Sequence, residues 1–230
     1  MITQISGKQF GRVLVFLILY LFVSPFFPSG STASLLVHFL LSVTLFLAAY
    51  AVQRNSQQRS IAMGLMALTL VTYWLGIFKL VPYSAEGALI LFAGFYALLI
   101  YSLIRQLINS SHVTSGVLSG TMCLYLVIGL FWGTLYTLLE VLSPSAFSGA
   151  LLENPGTSEL HLFNYFSLVT LTSLGYGDIT PQIPGAASLC QMQAIVGQFF
   201  TAVLVAWLVG MYGKPNPKHE TESLSEPNSK

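Results

Sequence analysis

The stretch that decides the fold is Thr172-Ser173-Leu174-Gly175-Tyr176-Gly177-Asp178, in which two glycines stand two residues apart. It follows an apolar and aromatic run, residues 160–171, that is too short to cross a hydrocarbon core of about 30 Å. Such a run is expected to enter the membrane and return. Irregular backbone at that depth is tolerated only where it is buried in protein or lines a watery cavity. The stretch therefore predicts a half-helix followed by a loop that faces a pore.

The composition of the chain indicates a membrane protein. Hydrophobic residues make up 54% of the chain and charged residues 7%, whereas about a quarter of the residues in a soluble domain are charged. Six apolar segments are long enough, or nearly so, to span a membrane as helices: 11–27, 33–52, 60–81, 86–107, 113–141 and 187–212. We therefore predict an all-α membrane protein with six transmembrane helices. The net charge of +1, without basic clusters, excludes nucleic acid as a partner.

The distribution of Lys and Arg predicts the orientation of these spans. With a cytoplasmic N-terminus, all the basic residues lie on the cytoplasmic side except Lys79. A negative outer rim then consists of Glu86, Glu140, Glu153, Glu159 and Asp178. A cleaved signal peptide is an alternative interpretation of the first segment, because Lys8 and Arg12 precede a short apolar run that ends at Ser24.

The presence of two glycines in the loop is explained by what a cation site requires of the backbone. A site for a dehydrated cation needs successive backbone carbonyls directed at one axis, without an added fixed charge. Carbonyls alternate along a regular strand, so neighbours point the same way only where some residues adopt a positive φ, which glycine does at little cost. Gly175 and Gly177 supply such positions. Because one loop cannot enclose an ion, we expect a homotetramer around a common axis.

The stretch resembles the potassium-channel signature Thr-Val-Gly-Tyr-Gly-Asp. The order of outer helix, pore helix, filter and inner helix across residues 113–212 resembles the pore module of bacterial potassium channels. The resemblance implies a channel subunit, not an enzyme, that conducts potassium passively, uses no cofactor and has potassium ions and the lipid bilayer as partners. It implies a bacterial inner-membrane protein with cytoplasmic termini, divided into a four-span region 1–110, a pore domain 111–213 and a cytoplasmic tail 214–230.

The resemblance also implies roles for residues of the filter. Potassium would be bound by the carbonyl oxygens of Ser173, Leu174, Gly175 and Tyr176, and the Ser173 hydroxyl would complete the innermost site. Ser173 stands where the signature has Thr and lacks a methyl group, and Leu174 stands where it has Val and lacks β-branching. A weakly selective cation channel is therefore an alternative.

Residues of the pore helix are expected to support the filter. The resemblance implies that Tyr176 points away from the axis and packs against Tyr165 and Phe166. Val169 occupies the position of a buried Glu found in many members of the family. We therefore expect the Tyr165 hydroxyl to hold Asp178 instead.

The last apolar segment carries the expected inner gate. Gly197 lies twenty residues after Gly177 and is interpreted either as a hinge or as a site of close helix packing. Thr201, Val205 and Val209 share one helical face and are expected to line the cavity. By resemblance, Thr180 would ring the outer mouth.

The fourth apolar segment does not have the composition of a voltage sensor. The fourth apolar segment contains only Arg105 as a basic residue, whereas a voltage sensor needs several. The fifth apolar segment contains two small-xxx-small pairs, Gly116 with Gly120 and Gly129 with Gly133, which predict close contact with the inner helix or the first four spans. A membrane transporter or enzyme is a second alternative, although the spans contain almost no ionisable residues in their interiors.

Overall fold

The computed structural model describes residues 7–26, 34–52, 56–78, 80, 82–110, 114–153 and 159–212. The tail 214–230 and the basic residues Arg54 and Lys79, on which part of the orientation argument rests, lie outside these ranges. The side chains of Lys8 and Glu159 also lie outside the described part of the chain.

The described residues form seven α-helices and one two-stranded antiparallel sheet. The helices are α1 (Gly7–Val23), α2 (Ser34–Val52), α3 (Ser56–Ile77), α4 (Ser84–Ile108), α5 (Ser115–Leu142), α6 (Glu159–Leu171) and α7 (Pro184–Tyr212). The strands are β1 (Phe147–Ser148) and β2 (Thr180–Pro181), in which Phe147 pairs with Pro181 and Ser148 pairs with Thr180. A short 3-10 turn, Ser24–Phe26, follows α1.

Most of these helices have the length and composition of membrane spans. Among the described residues, five helical segments are long and apolar enough to cross a membrane: Gln9–Phe26, Arg59–Ile77, Ser84–Ile108, Ser115–Leu142 and Pro184–Gly210. The apolar part of α2, Leu35–Ala51, is shorter. The 19 residues of α2 extend over about 28 Å at 1.5 Å per residue, slightly less than a typical hydrocarbon core. The described chain is therefore that of a helical membrane protein.

Local chemistry favours the observed ends of three helices, α4, α5 and α7. The Thr114 side chain accepts a hydrogen bond from the Val117 amide at 3.3 Å and so caps the start of α5. Pro184 begins α7, a position at which the missing N–H of proline costs nothing. In α4, Glu86 lies in the first turn and Arg105 in the last, as the helix dipole favours.

Helix α5 lies at the centre of the described helices. Its span is 61% buried, because α1, α4 and α6 all pack against it. In contrast, only 11% of the span of α7 is buried, and α7 packs mainly against α6. Large apolar side chains are exposed along α7: Met192, Ile195, Val196, Phe199, Val203, Val205 and Val209. Most of α7 thus lies on the surface of a single chain.

Gly120 of α5 faces α4 and α1, as predicted, whereas Gly129 and Gly133 face a helix that the sequence did not indicate. A Cβ at Gly133 would lie 2.9 Å from the Asn164 Cα, and a Cβ at Gly129 would lie 2.7 Å from the Leu168 Cδ2. Both neighbours belong to α6, so the prediction of contact with the inner helix or the first four spans is wrong for this pair. The missing side chains allow α6 to lie directly against α5. This contact fixes the position of the loop that follows α6.

Candidate functional site

The loop after α6 begins as a tight continuation of that helix. The amides of residues 172–174 donate to carbonyls of the last helical turn, each at 3.0 Å. The Thr172 hydroxyl also donates to the Leu168 carbonyl at 2.8 Å. The end of α6 therefore anchors the loop, and the residues from Ser173 onward leave the helix.

The backbone of the loop alternates between two conformations. Ser173, Gly175 and Gly177 have φ angles of +59°, +56° and +75°. Left-handed conformation at every second residue is the pattern that turns neighbouring carbonyls toward one side. The sequence indicated the two glycines, and the structure adds Ser173, for which a positive φ costs about 1–2 kcal/mol because it carries a Cβ.

The glycines are required by conformation and not by lack of space within one chain. A Cβ on Gly175 or Gly177 would meet no atom within 4 Å. Their positive φ angles are nevertheless unfavourable for residues with a side chain. Substitution at either position is therefore expected to strain the backbone, whereas the new side chain would have room within one chain.

The Ser173 side chain is held from the inner helix. Gln198 Nε2 donates a hydrogen bond to Ser173 Oγ at 2.7 Å. The sequence did not indicate this contact, although a carboxamide in an otherwise apolar span is a signal that a polar partner is near.

Tyr165 and Asp178 form the expected contact behind the loop. The Tyr165 hydroxyl donates to Asp178 Oδ2, and Asp178 Oδ1 accepts a hydrogen bond from the Ile179 amide at 3.1 Å. The predicted hydrogen bond between the two side chains is therefore present. It links α6 to the end of the loop that precedes β2.

The two aromatic residues of α6 that were predicted to support the filter, Tyr165 and Phe166, lie on different sides. Tyr165, Leu174 and Tyr176 line a common cavity of about 350 Å³. Phe166 instead lies in a buried cluster with Tyr136 and Phe147, with ring centroids 5.1 and 5.6 Å away. Phe166 thus supports α6 from the α5 side, while Tyr165 faces the loop.

A buried polar network joins the three helices of the pore region. Gln193 of α7 is fully buried and accepts a hydrogen bond from the Tyr136 hydroxyl of α5 at 2.5 Å. Its amide donates to the Ser167 carbonyl at 3.0 Å and to the Ser167 hydroxyl at 2.6 Å. That hydroxyl donates to the Gly129 carbonyl at 2.6 Å. Because buried polar groups are costly when unpaired, this network fixes the rotation of α7 against α6.

Hydrogen bonds also order the outer end of the loop. The Thr180 hydroxyl is exposed, donates to the Ser148 carbonyl at 3.3 Å and accepts from Gln182 Nε2 at 2.9 Å. The Glu140 carboxylate at the end of α5 accepts from the Ser145 and Phe147 amides at 2.8 and 3.0 Å. Thr180 therefore lies on a short strand that is held by hydrogen bonds. The Glu140 carboxylate orders the turn between α5 and β1.

The inner helix makes a close approach to the end of α6. A Cβ on Gly197 would lie 3.0 Å from the carbonyl carbon of Leu171, so a side chain has no room there. This contact supports the packing interpretation of Gly197. Further along α7, exposed residues include Thr201, Val205 and Val209, and the Thr201 hydroxyl donates to the Gly197 carbonyl at 3.1 Å.

The described residues contain no group of three or more His, Cys, Asp or Glu side chains that could hold a metal ion.

Residues 120–214 match the family described as "Ion channel". This region contains α5 from Gly120 onward, the pore helix α6, the loop and α7. Comparisons with curated proteins and with solved structures gave no match. Together with helices that are long and apolar enough to cross a membrane, this match over part of the chain supports an ion channel.

Proposed function

We propose that this chain is a subunit of a potassium-selective channel that conducts potassium passively. The observation that carries the proposal is the alternation of positive φ angles at Ser173, Gly175 and Gly177. Backbone carbonyls directed at one axis replace the hydration shell of a potassium ion without a fixed charge. The selectivity filter is residues 172–178, and potassium is bound by the carbonyl oxygens of residues 173–176.

The filter backbone needs support from outside the ion pathway. Tyr165 supplies part of it, because its hydroxyl holds the Asp178 carboxylate. The other part comes from the contact of α6 with α5 at Gly129 and Gly133, which positions the end of the pore helix. Through this support, the carbonyls keep a spacing suited to one ion size.

We further propose a homotetramer of pore domains, each comprising residues 111–213. One loop cannot surround an ion, and α7 presents a mostly exposed apolar surface in the single chain. The tetramer places Thr201, Val205 and Val209 around a central cavity and Thr180 around the outer mouth. Residues 1–110 form the surrounding region, which packs against α5 through α1 and α4.

The proposed topology has six spans and cytoplasmic termini in a bacterial inner membrane, with residues 214–230 as a cytoplasmic tail. Arg59 lies over the ring of Tyr50 at 5.5 Å, where α2 ends and α3 begins. Arg105 lies in the last turn of α4. The junction of α2 and α3 and the C-terminal end of α4 both lie on the cytoplasmic side if basic residues follow the positive-inside rule.

A weakly selective cation channel is a second candidate function. Ser173 has no β-methyl group, and the Leu174 side chain is 56% exposed in the single chain. Both features allow more side-chain freedom than the Thr and Val of the signature. Reversal potentials in mixed potassium and sodium solutions separate this candidate from the first.

Flux into liposomes tests passive conduction against coupled transport. We expect the purified protein to carry potassium down its gradient without any proton or sodium gradient, and the assembled Gly177→Ala variant to carry none. Flux that appears only with an imposed proton or sodium gradient would identify a transporter and contradict the proposal.

A further inference from the structure

We propose that Gln198 is a positioning residue that determines cation specificity by holding the Ser173 hydroxyl at the innermost ion site. The inference rests on the proposed potassium channel function, since Ser173 matters to specificity only if its oxygen faces the ion pathway. It concerns a residue of the inner helix, outside the signature stretch.

The geometry brings α7 directly beneath the start of the filter. Gly197 has no side chain, so α7 lies against the carbonyl of Leu171 at the end of the pore helix. The next residue, Gln198, is thereby close enough for its Nε2 to donate to Ser173 Oγ at 2.7 Å. This distance is that of a well-formed hydrogen bond. The packing at Gly197 thus has a chemical consequence at the filter.

Ser173 needs such a partner for two reasons. Its side chain lacks the methyl group that restricts χ1 in threonine, so the hydroxyl has several accessible rotamers. Its φ of +59° is also unfavourable for a residue with a side chain. A hydrogen bond from Gln198 selects one rotamer of the hydroxyl and stabilises the left-handed backbone that carries it.

The hydroxyl of the neighbouring residue, Thr172, cannot replace that of Ser173 as an oxygen ligand of the cation. Thr172 Oγ1 donates to the carbonyls of Leu168 and Val169, at 2.8 and 3.2 Å, and is thereby directed back to the pore helix. The Gln198 amide is a donor and the Ser173 oxygen the acceptor, which leaves a second lone pair of that oxygen for a cation. Specificity depends on the number and field strength of such oxygens. Loss of the Gln198 bond therefore alters the innermost site without removing its ligand.

The test is the potassium-to-sodium permeability ratio of the full-length channel in planar bilayers. In Gln198→Leu we expect the ratio to fall by about two- to tenfold, the range of one neutral hydrogen bond. Ser173→Thr in the Gln198→Leu background is expected to restore most of the ratio, because its β-methyl group confines χ1. Gln191→Leu makes the same substitution at an exposed position earlier in α7 and should leave the ratio unchanged.

A double-mutant cycle separates positioning from a general structural effect. If Gln198 acts through the Ser173 hydroxyl, Gln198→Leu should produce no further loss in a Ser173→Ala background. An unchanged ratio in Gln198→Leu, or losses that multiply in the double variant, would overturn the inference. If Gln198→Leu fails to assemble, Gln198→Asn replaces it in the test, with the same expected results. Asparagine keeps the polar amide but is one methylene shorter, so the hydrogen bond to Ser173 is lost. Absence of cation flux through the wild-type protein would instead contradict the proposed function itself.

Discussion

Replacing Tyr165 with phenylalanine removes one hydroxyl behind the filter and tests how the filter is supported. In the native protein, this hydroxyl donates to Asp178 Oδ2, while Asp178 Oδ1 is held by the Ile179 amide. A hydrogen bond to a charged group contributes about 1.5–3 kcal/mol. Tyr165 and Asp178 are both partly exposed, so water replaces some of the loss, and the lower end applies. A loss of about 1.4 kcal/mol shifts the equilibrium between conducting and non-conducting filters about tenfold.

Single-channel recordings of Tyr165→Phe measure this shift. We expect shorter openings or faster entry into a non-conducting state, with an unchanged assembly state. Tyr101→Phe, which removes a hydroxyl from an exposed residue of α4, serves as the matched control and should behave as the native channel. Open-state kinetics in Tyr165→Phe equal to those of the control would refute the argument that this hydrogen bond supports the filter.

Three further substitutions test the filter glycine, the fourth helix and the outer mouth. Gly177→Ala should abolish potassium flux in intact tetramers, because alanine at a φ of +75° costs about 1–2 kcal/mol in each subunit; selective current of normal size would contradict the filter assignment. Arg105→Gln should leave the slope of the conductance–voltage curve unchanged, since Arg105 is the only basic residue of α4; a slope that flattens would show that this residue carries gating charge. Thr180→Tyr should strengthen block by external tetraethylammonium, because aromatic rings attract a quaternary ammonium by about 0.5–2 kcal/mol; tight block of the native channel, or no gain in the variant, would place Thr180 away from the mouth.

The sequence predicted those features that are encoded by single residues. Gly175 and Gly177 indicated positive φ angles because few other residues adopt them cheaply, and both angles are present. The Tyr165–Asp178 bond was predictable because Val169 removes the usual alternative partner. Helix positions followed from the lengths of the apolar segments, with ends that differ by a few residues.

Features that depend on how helices pack were not predictable in this way. The partner of Gly129 and Gly133 depends on which face of α5 meets α6, and a small-xxx-small pattern specifies close contact without naming the neighbour. Gln193 and Gln198 are carboxamides within an apolar span, and no role was predicted for them from the sequence. Their partners depend on the rotation of α7, which the amino-acid pattern alone does not determine.

The positive φ of Ser173 was missed for a different reason. Serine is not a residue that signals left-handed backbone, so only the alternation with Gly175 and Gly177 reveals its role. The hydrogen bond from Gln198 explains how a non-glycine residue is held there. A local signal and a tertiary contact were both needed to interpret this position.

The reversal potential with potassium on one side of the membrane and sodium on the other is the direct test of potassium selectivity. The purified protein is reconstituted in planar bilayers, and the current through the wild-type channel is measured as the voltage is varied. We expect a reversal potential displaced far toward the potassium equilibrium potential, because the carbonyl oxygens of residues 173–176 select potassium. A reversal potential near zero in these solutions would contradict potassium selectivity and identify a weakly selective cation channel.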